Sequence, residues 1–184
     1  MSVLQKKIRG FTLMEAMVAI VILSVSVVAP ISIAQKGLQS TYFARDQITA
    51  FYMAQEAIEY IRSNRDNAIL QGGSWAGTFL PAVSTCVSAG LTSKCYVDLY
   101  NSGGNFNPSI TSCGGTCPVI KFHPSKYIYG YGLSGATNTK YTRDIKIQNP
   151  SGGSADEAKI VVTVSWTSQI GLKTVSITSF LRNL

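Results

Sequence analysis

Hydrophobic and polar positions fall into three regimes along the chain. From Phe11 to Ala34 nearly every residue is apolar (FTLMEAMVAIVILSVSVVAPISIA). About 24 residues at 1.5 Å each make a helix about 36 Å long, enough to cross a bilayer core. From Lys36 to about Asn67 the apolar residues recur at i, i+3, i+4. Phe43, Ile48, Phe51, Ala54, Ile58 and Ile61 then share one stripe, expected to pack on a globular domain. Arg45, Asp46, Gln55, Glu59, Arg62 and Arg65 fall opposite and read as a solvated face, with Glu59–Arg62 and Arg62–Asp66 as helical neighbours. Pro30 removes one helical hydrogen bond and predicts a kink, and Gly37 is a second weak point.

The third regime alternates. Tyr141–Gln148, Ala158–Ser168 and Lys173–Leu181 predict three strands. Ile160, Val162, Val164 and Trp166 share one face, with Trp166 as core, and Val175, Ile177 and Leu181 form a comparable face. NPSGGSADE reads as a loop and Gln169-Ile170-Gly171 as a tight turn. These strands predict an antiparallel meander placed to cover the helical stripe. From Gln71 to about Gly135, Gly, Ser, Thr and Asn dominate, which predicts a long connection with short strands at Lys94–Leu99 and Lys126–Gly132. The fold class is α+β: a long N-terminal helix packed on a C-terminal antiparallel sheet.

With 46% hydrophobic and 14% charged residues, the chain is too apolar for disorder. Its net charge is +7, but Lys6, Lys7 and Arg9 supply three of those charges immediately before the apolar run. They read as a membrane flank retained in the cytoplasm, which puts the C-terminal domain outside. Nucleic acid is therefore not an expected partner.

Cys86, Cys95, Cys113 and Cys117 lie beyond the apolar segment in loop-rich sequence, as expected of two disulfides in an oxidising compartment. Three pairings are possible, and the local ones, Cys86–Cys95 and Cys113–Cys117, are favoured. Spacings of eight and three residues do not resemble paired zinc knuckles, so no metal is expected. The sequence has no phosphate loop, GxSxG or HExxH, and its single histidine, His123, lies beside Pro124. No cofactor and no catalytic residue is expected. Tyr127, Tyr129, Tyr131 and Tyr141 lie near Lys126 and Lys140 and have the chemistry to stack on bases or sugars, although such residues more often line a sheet face.

Glu15 is the unusual residue of the apolar segment. A removable secretory signal has a shorter apolar stretch, and the small-residue site at Val28-Ala29 runs into Pro30. A plain signal anchor explains the length and the basic flank but not a carboxylate at membrane depth. Thr12 and Glu15 fit a capping box, which still leaves a polar group wanting a partner. A cut between Gly10 and Phe11 resolves this. It creates an amino group on Phe11, one turn before Glu15, and staggered packing brings Glu15 of one subunit to the amine of the next.

The residues KKIRG/FTLMEAMVAIVILSVSVV resemble the class III signal of type IV prepilins and type II secretion pseudopilins, at Gly10, Phe11, Thr12, Leu13, Met14 and Glu15. The resemblance implies a pilin-like fold, a prepilin peptidase that cuts after Gly10 and N-methylates Phe11, and an assembly role for Glu15. The stretch FYMAQEAIEYIRSNRDN is similar to minor pilins of the PilV kind and to the pseudopilin GspI, through Ala54, Gln55, Glu56, Ile58, Glu59, Arg62, Arg65 and Asp66. Ala57 stands where those proteins more often carry glycine, which puts a close-packing role there in doubt.

The implied organisation is a cleaved leader at 1–10, a transmembrane helix at 11–34, an amphipathic helix at 35–67 and a disulfide-containing head at 68–184. The implied protein is a non-enzymatic minor pilin, single-pass in the cytoplasmic membrane with its N-terminus inside before it enters a filament. Its partners would be other pilin or pseudopilin subunits, the peptidase and the assembly platform. The alternatives are a type II secretion pseudopilin, or a tip module for DNA uptake or adhesion.

Overall fold

One helix, α1 (Leu13–Leu70), takes in both the apolar run and the amphipathic stretch and continues past Asn67, with Pro30 inside it. It ends where Gly72 adopts φ 74°, which only glycine accepts freely. There Gly73 N–H donates to the Ala68 carbonyl (2.9 Å) and Gly72 N–H to that of Ile69 (3.0 Å), so the last turn closes on its own carbonyls. The structure, a computed structural model, describes residues 10–88, 90–148, 156–168 and 171–183. It divides between Arg45 and Asp46 into two units, and α1 contributes to both.

In the first unit α1 exposes its apolar side chains, from Leu13 (78%) to Ile33 (72%). Its hydroxyls bond back along the helix: Ser24 to the Ile20 carbonyl (2.7 Å), Ser26 to Leu23 (2.8 Å) and Ser32 to Val28 (3.0 Å). A hydroxyl satisfied within its own helix can enter hydrocarbon at small cost.

The second unit packs the remainder of α1 on a seven-stranded antiparallel sheet: β1 (Cys95–Tyr100), β2 (Phe106–Ser112), β3 (Val119–His123), β4 (Ile128–Gly130), β5 (Thr137–Gln148), β6 (Glu157–Ser168) and β7 (Gly171–Arg182). The meander β5–β6–β7 is the expected one, in register at Ile145↔Val162 and Val162↔Ile177. Along its other edge β5 pairs first with β3, at Thr137↔Phe122, and then with β1, at Ile145↔Cys95. The loop expected at NPSGGSADE and the turn at Gln169-Ile170 lie largely outside the described residues.

The core joins Met53, Ile58 and Ile61 of α1 to Val97, Ile145, Ile147, Ile160, Val162, Val164 and Trp166 of the sheet. This corrects the expected helical stripe. Ala54, Ile58 and Ile61 are buried, but Phe43 (37%), Ile48 (56%) and Phe51 (43%) are exposed, and Ala50, Met53 and Ala57 are buried in their place. The sheet supplies bulky side chains, so the helix presents small ones where the two approach. Ala57 is fully buried, so this close contact tolerates a methyl group.

The region from Gln71 to Gly135 is more ordered than its composition suggests. A wide helical turn (Trp75–Phe79), capped by Ser74 Oγ accepting from Gly77 N–H at 3.0 Å, leads into helical turns at Leu80–Ala82 and Ser84–Cys86. It buries Trp75 against Phe79, with ring centroids 4.8 Å apart. β2 and β3 are further strands that the composition concealed. Disulfides join Cys86 to Cys95, tying the last helical turn to the start of β1, and Cys113 to Cys117, closing the β2–β3 connection through Gly114 (φ 61°) and Gly115 (φ 132°).

Candidate functional site

The amino-terminal site begins at Gly10, which is exposed and precedes the helix, and Phe11, which is 76% exposed. Thr12 caps α1: its Oγ1 accepts from Glu15 N–H at 3.3 Å and its carbonyl from Ala16 N–H at 3.1 Å. Glu15 therefore lies in the first turn, where a carboxylate complements the helix dipole. Among the described residues its carboxylate makes no ion pair. From Leu13 onward the helix includes an 18-residue window of mean hydropathy 2.6, long and apolar enough to cross a membrane. The helix thus begins with an accessible Gly-Phe bond and a carboxylate that has no ion pair among the described residues, and continues as an apolar helix.

In the head, the polar residues that matter structurally join α1 to the sheet. Arg143 on β5 is 3% exposed. It donates to the Met53 carbonyl of α1 (2.7 Å) and the Val97 carbonyl of β1 (2.7 Å), and pairs with Glu56 at 2.9 Å. Its guanidinium also lies over the Tyr131 ring, 5.8 Å from the centroid. Sequence reading missed this residue, although a signal was present: Tyr141, Arg143, Ile145 and Ile147 have the same parity on one strand. A cation on an otherwise apolar face implies a buried partner.

Asp46 makes a second junction. Its carboxylate accepts from Lys140 Nζ (2.5 Å) and from the Tyr141 hydroxyl (3.0 Å). This corrects the solvated-face reading for Asp46. Glu59 and Arg62 do pair, at 2.7 Å, but Asp66 pairs with Arg65 at 2.6 Å rather than with Arg62. Arg65 is largely buried and also donates to the Arg182 carbonyl at 3.2 Å.

Of the four tyrosines singled out, only Tyr127 is fully displayed, at 80%; Tyr131 (7%) and Tyr141 (6%) belong to the core. Burial raises the pKa of Tyr131 above its ordinary value, against the pull of Arg143. Burial, with Asp46 accepting its hydroxyl, raises that of Tyr141 further. Unfolded phenols lose their protons near pH 10, while these folded ones retain them. Above that pH the native state binds more protons, so its stability is intact below pH 10 and falls as pH rises beyond it. Chemical denaturation at pH 8 and pH 11 should show this loss, and Tyr141→Phe should reduce it. An unchanged pH dependence in that variant would contradict the assignment.

His123 ends β3, and its Nδ1 accepts from Lys126 N–H at 3.3 Å, a local turn contact. No cluster of three or more metal-ligating side chains occurs among the described residues.

A model of the prokaryotic N-terminal methylation motif matches residues 5–29, which include Gly10, Phe11 and Glu15. The match supports a type IV pilin-like protein, and the long helix packed on an antiparallel sheet fits the pilin-like fold. No curated protein and no solved structure matches the chain.

Proposed function

We propose that this chain is a minor pilin, an initiating or structural subunit of a type IV pilus filament. One observation carries the reading: a methylation motif lies over an accessible Gly10–Phe11 bond, one turn before a lone Glu15 on an exposed apolar helix. Prepilin peptidase would cut after Gly10 and methylate the new amine of Phe11. The leader 1–10 is then lost, 11–34 holds the chain in the cytoplasmic membrane, and 35–67 carries the helix into the head at 68–184.

Exposed apolar side chains along the helix have two solvents available, lipid and neighbouring helices. Transfer from the first to the second is assembly. Glu15 sets the register by meeting the terminal amine of an adjacent subunit, where low dielectric strengthens the pair and penalises mispairing. Proteins bearing this motif are in general structural, and the working parts here are contact surfaces rather than reactive groups.

The placement among minor pilins rests on the segment Ala54 to Asp66, which resembles PilV and GspI. A type II secretion pseudopilin shares the same leader and segment. The experiment is to express a tagged chain in cells that make pili and to shear off the filaments. The tag should be recovered in the pilus fraction only when prepilin peptidase is present. Recovery only in secretion filaments would favour the pseudopilin reading.

A further inference from the structure

Of the three outermost strands, two are closed to further pairing and one is open. β4, beyond β3, is three residues long. β2, beyond β1, carries Pro108 and meets a register shift between Asp98 and Tyr100. Short length, proline and irregular register are the usual protections of an edge strand. β7 has none of them. It is twelve residues long, contains no proline, and pairs with β6 in unbroken register from Glu157↔Arg182 to Ser168↔Gly171. Residues 174–181 carry no charge. Among the described residues β6 is its one strand partner.

The pairing shows which backbone groups face away from β6. Asn183 N–H donates to the Asp156 carbonyl at 2.7 Å, one step beyond Arg182↔Glu157. Antiparallel ladders alternate, so odd-numbered residues of β7 face β6 and even-numbered ones turn their N–H and C=O to the open edge. The Arg182 carbonyl fits this parity, since it accepts from Arg65 of α1 at 3.2 Å. Leu172, Thr174, Ser176, Thr178 and Phe180 share the same parity, and Leu172 (71%) and Phe180 (59%) also expose their side chains. On the core side, Val175 and Ile177 are only partly buried. They lie opposite Val164 and Val162 and end the apolar rows of the sheet.

We propose that β7 accepts an extended strand from another protein, added antiparallel along its open edge. That strand alternates, with apolar side chains beside Val175 and Ile177 and an acidic one beside Lys173. Main-chain bonds supply affinity in such additions, and alternate side chains supply selectivity. Charge selects the partner. β7 contains Lys173 and Arg182 and no acid, and Lys173 makes no ion pair among the described residues. A second copy of β7 would add two more cations and no acid to the junction. Antiparallel self-pairing also has a two-fold axis normal to the sheet. It would reverse the stretch of α1 packed on that sheet, so the two helices would run in opposite directions, which one membrane does not accommodate. The inference goes beyond filament assembly and does not depend on which filament the chain joins.

The test uses the full chain in detergent micelles and a fluorescent peptide of alternating threonine and valine, with glutamate at the position opposite Lys173. Anisotropy should show saturable binding. Replacing that glutamate by lysine should weaken it by about 2- to 10-fold. Methylating the peptide amides that face β7 should abolish it, because the main-chain donors are lost. Thr178→Pro should weaken binding by about tenfold or more, since its ring stands on the open edge. The head should stay folded in this variant, because β6 does not use that N–H. Ile177→Pro, whose N–H faces β6, should instead lower the melting temperature sharply. The contrast separates a docking edge from a structural strand. Absence of binding, equal affinity for the glutamate and lysine peptides, binding of the methylated peptide, or full affinity in folded Thr178→Pro would overturn the proposal. Dimerisation of the chain that Thr178→Pro abolishes would assign the edge to a second copy and overturn it as well. Failure of peptidase processing would count against the filament assignment alone.

Discussion

Arg143→Ala is expected to destabilise the head by about 2–4 kcal/mol. Loss of one partner from a buried pair ordinarily costs about 3–5 kcal/mol, because the other charge is stranded. The range is set lower here because the Glu56 side chain is about one-third exposed and regains some water. The Met53 and Val97 carbonyls also lose a charged donor. For a head of this size the melting temperature should fall by roughly 6–12 °C. Arg143→Lys should recover only part of this, since an ammonium cannot reproduce the planar fork that reaches two carbonyls and a carboxylate. Replacing Arg143 and Glu56 together by Met and Leu should cost less than the two single changes combined. Thermal unfolding of Arg143→Met, Glu56→Leu and the double variant, beside Arg143→Ala and Arg143→Lys, checks this. Additive effects would show that Arg143 and Glu56 are not energetically coupled.

Glu15→Ala should have the largest effect on function with little effect on stability. The head does not depend on Glu15, and the change makes the apolar helix more apolar, so membrane insertion should persist. Cleavage after Gly10 should also persist. Recovery in filaments should fall on the order of tenfold or more, as when one member of a desolvated charge pair is removed from an interface. Glu15→Gln should fare little better, because it keeps the shape but not the charge. Quantitative blotting of membrane and filament fractions reads both quantities. Undiminished incorporation of the alanine variant would reduce Glu15 to a capping residue.

The elements with strong periodicity were legible in the sequence. The apolar run, the amphipathic continuation and the β5–β6–β7 meander have periods that allow one reading each, and Trp166 is buried as its strand parity implies. The inward face of α1 departs from the stripe that its largest apolar residues predict. Phe43, Ile48 and Phe51 are large but exposed, whereas Ala50 and Ala57 are small and fully buried. Helix–sheet contact distance selects size as well as hydrophobicity, and the partner's bulk is invisible from one strip of sequence. The segment after Gln71 defeated composition for a different reason. Its order comes from tertiary pairing and covalent closure, with β3 recruited by β5 and the helical turn at Ser84–Cys86 tied to β1 by Cys86–Cys95. Arg143 could have been found by parity alone, but its three partners lie 46 to 90 residues away in the chain.

Those distant contacts hold the head to its helix, whereas the proposed filament role rests on the first turn of α1. The accessible bond between Gly10 and Phe11 is where that role begins. The most direct measurement is the mass of the amino-terminal peptide from chain purified out of cells that make prepilin peptidase. A peptide starting at Phe11 and carrying one added methyl group is the predicted result. An intact Met1 start in chain recovered from filaments, or a cut at any other bond, would contradict the account.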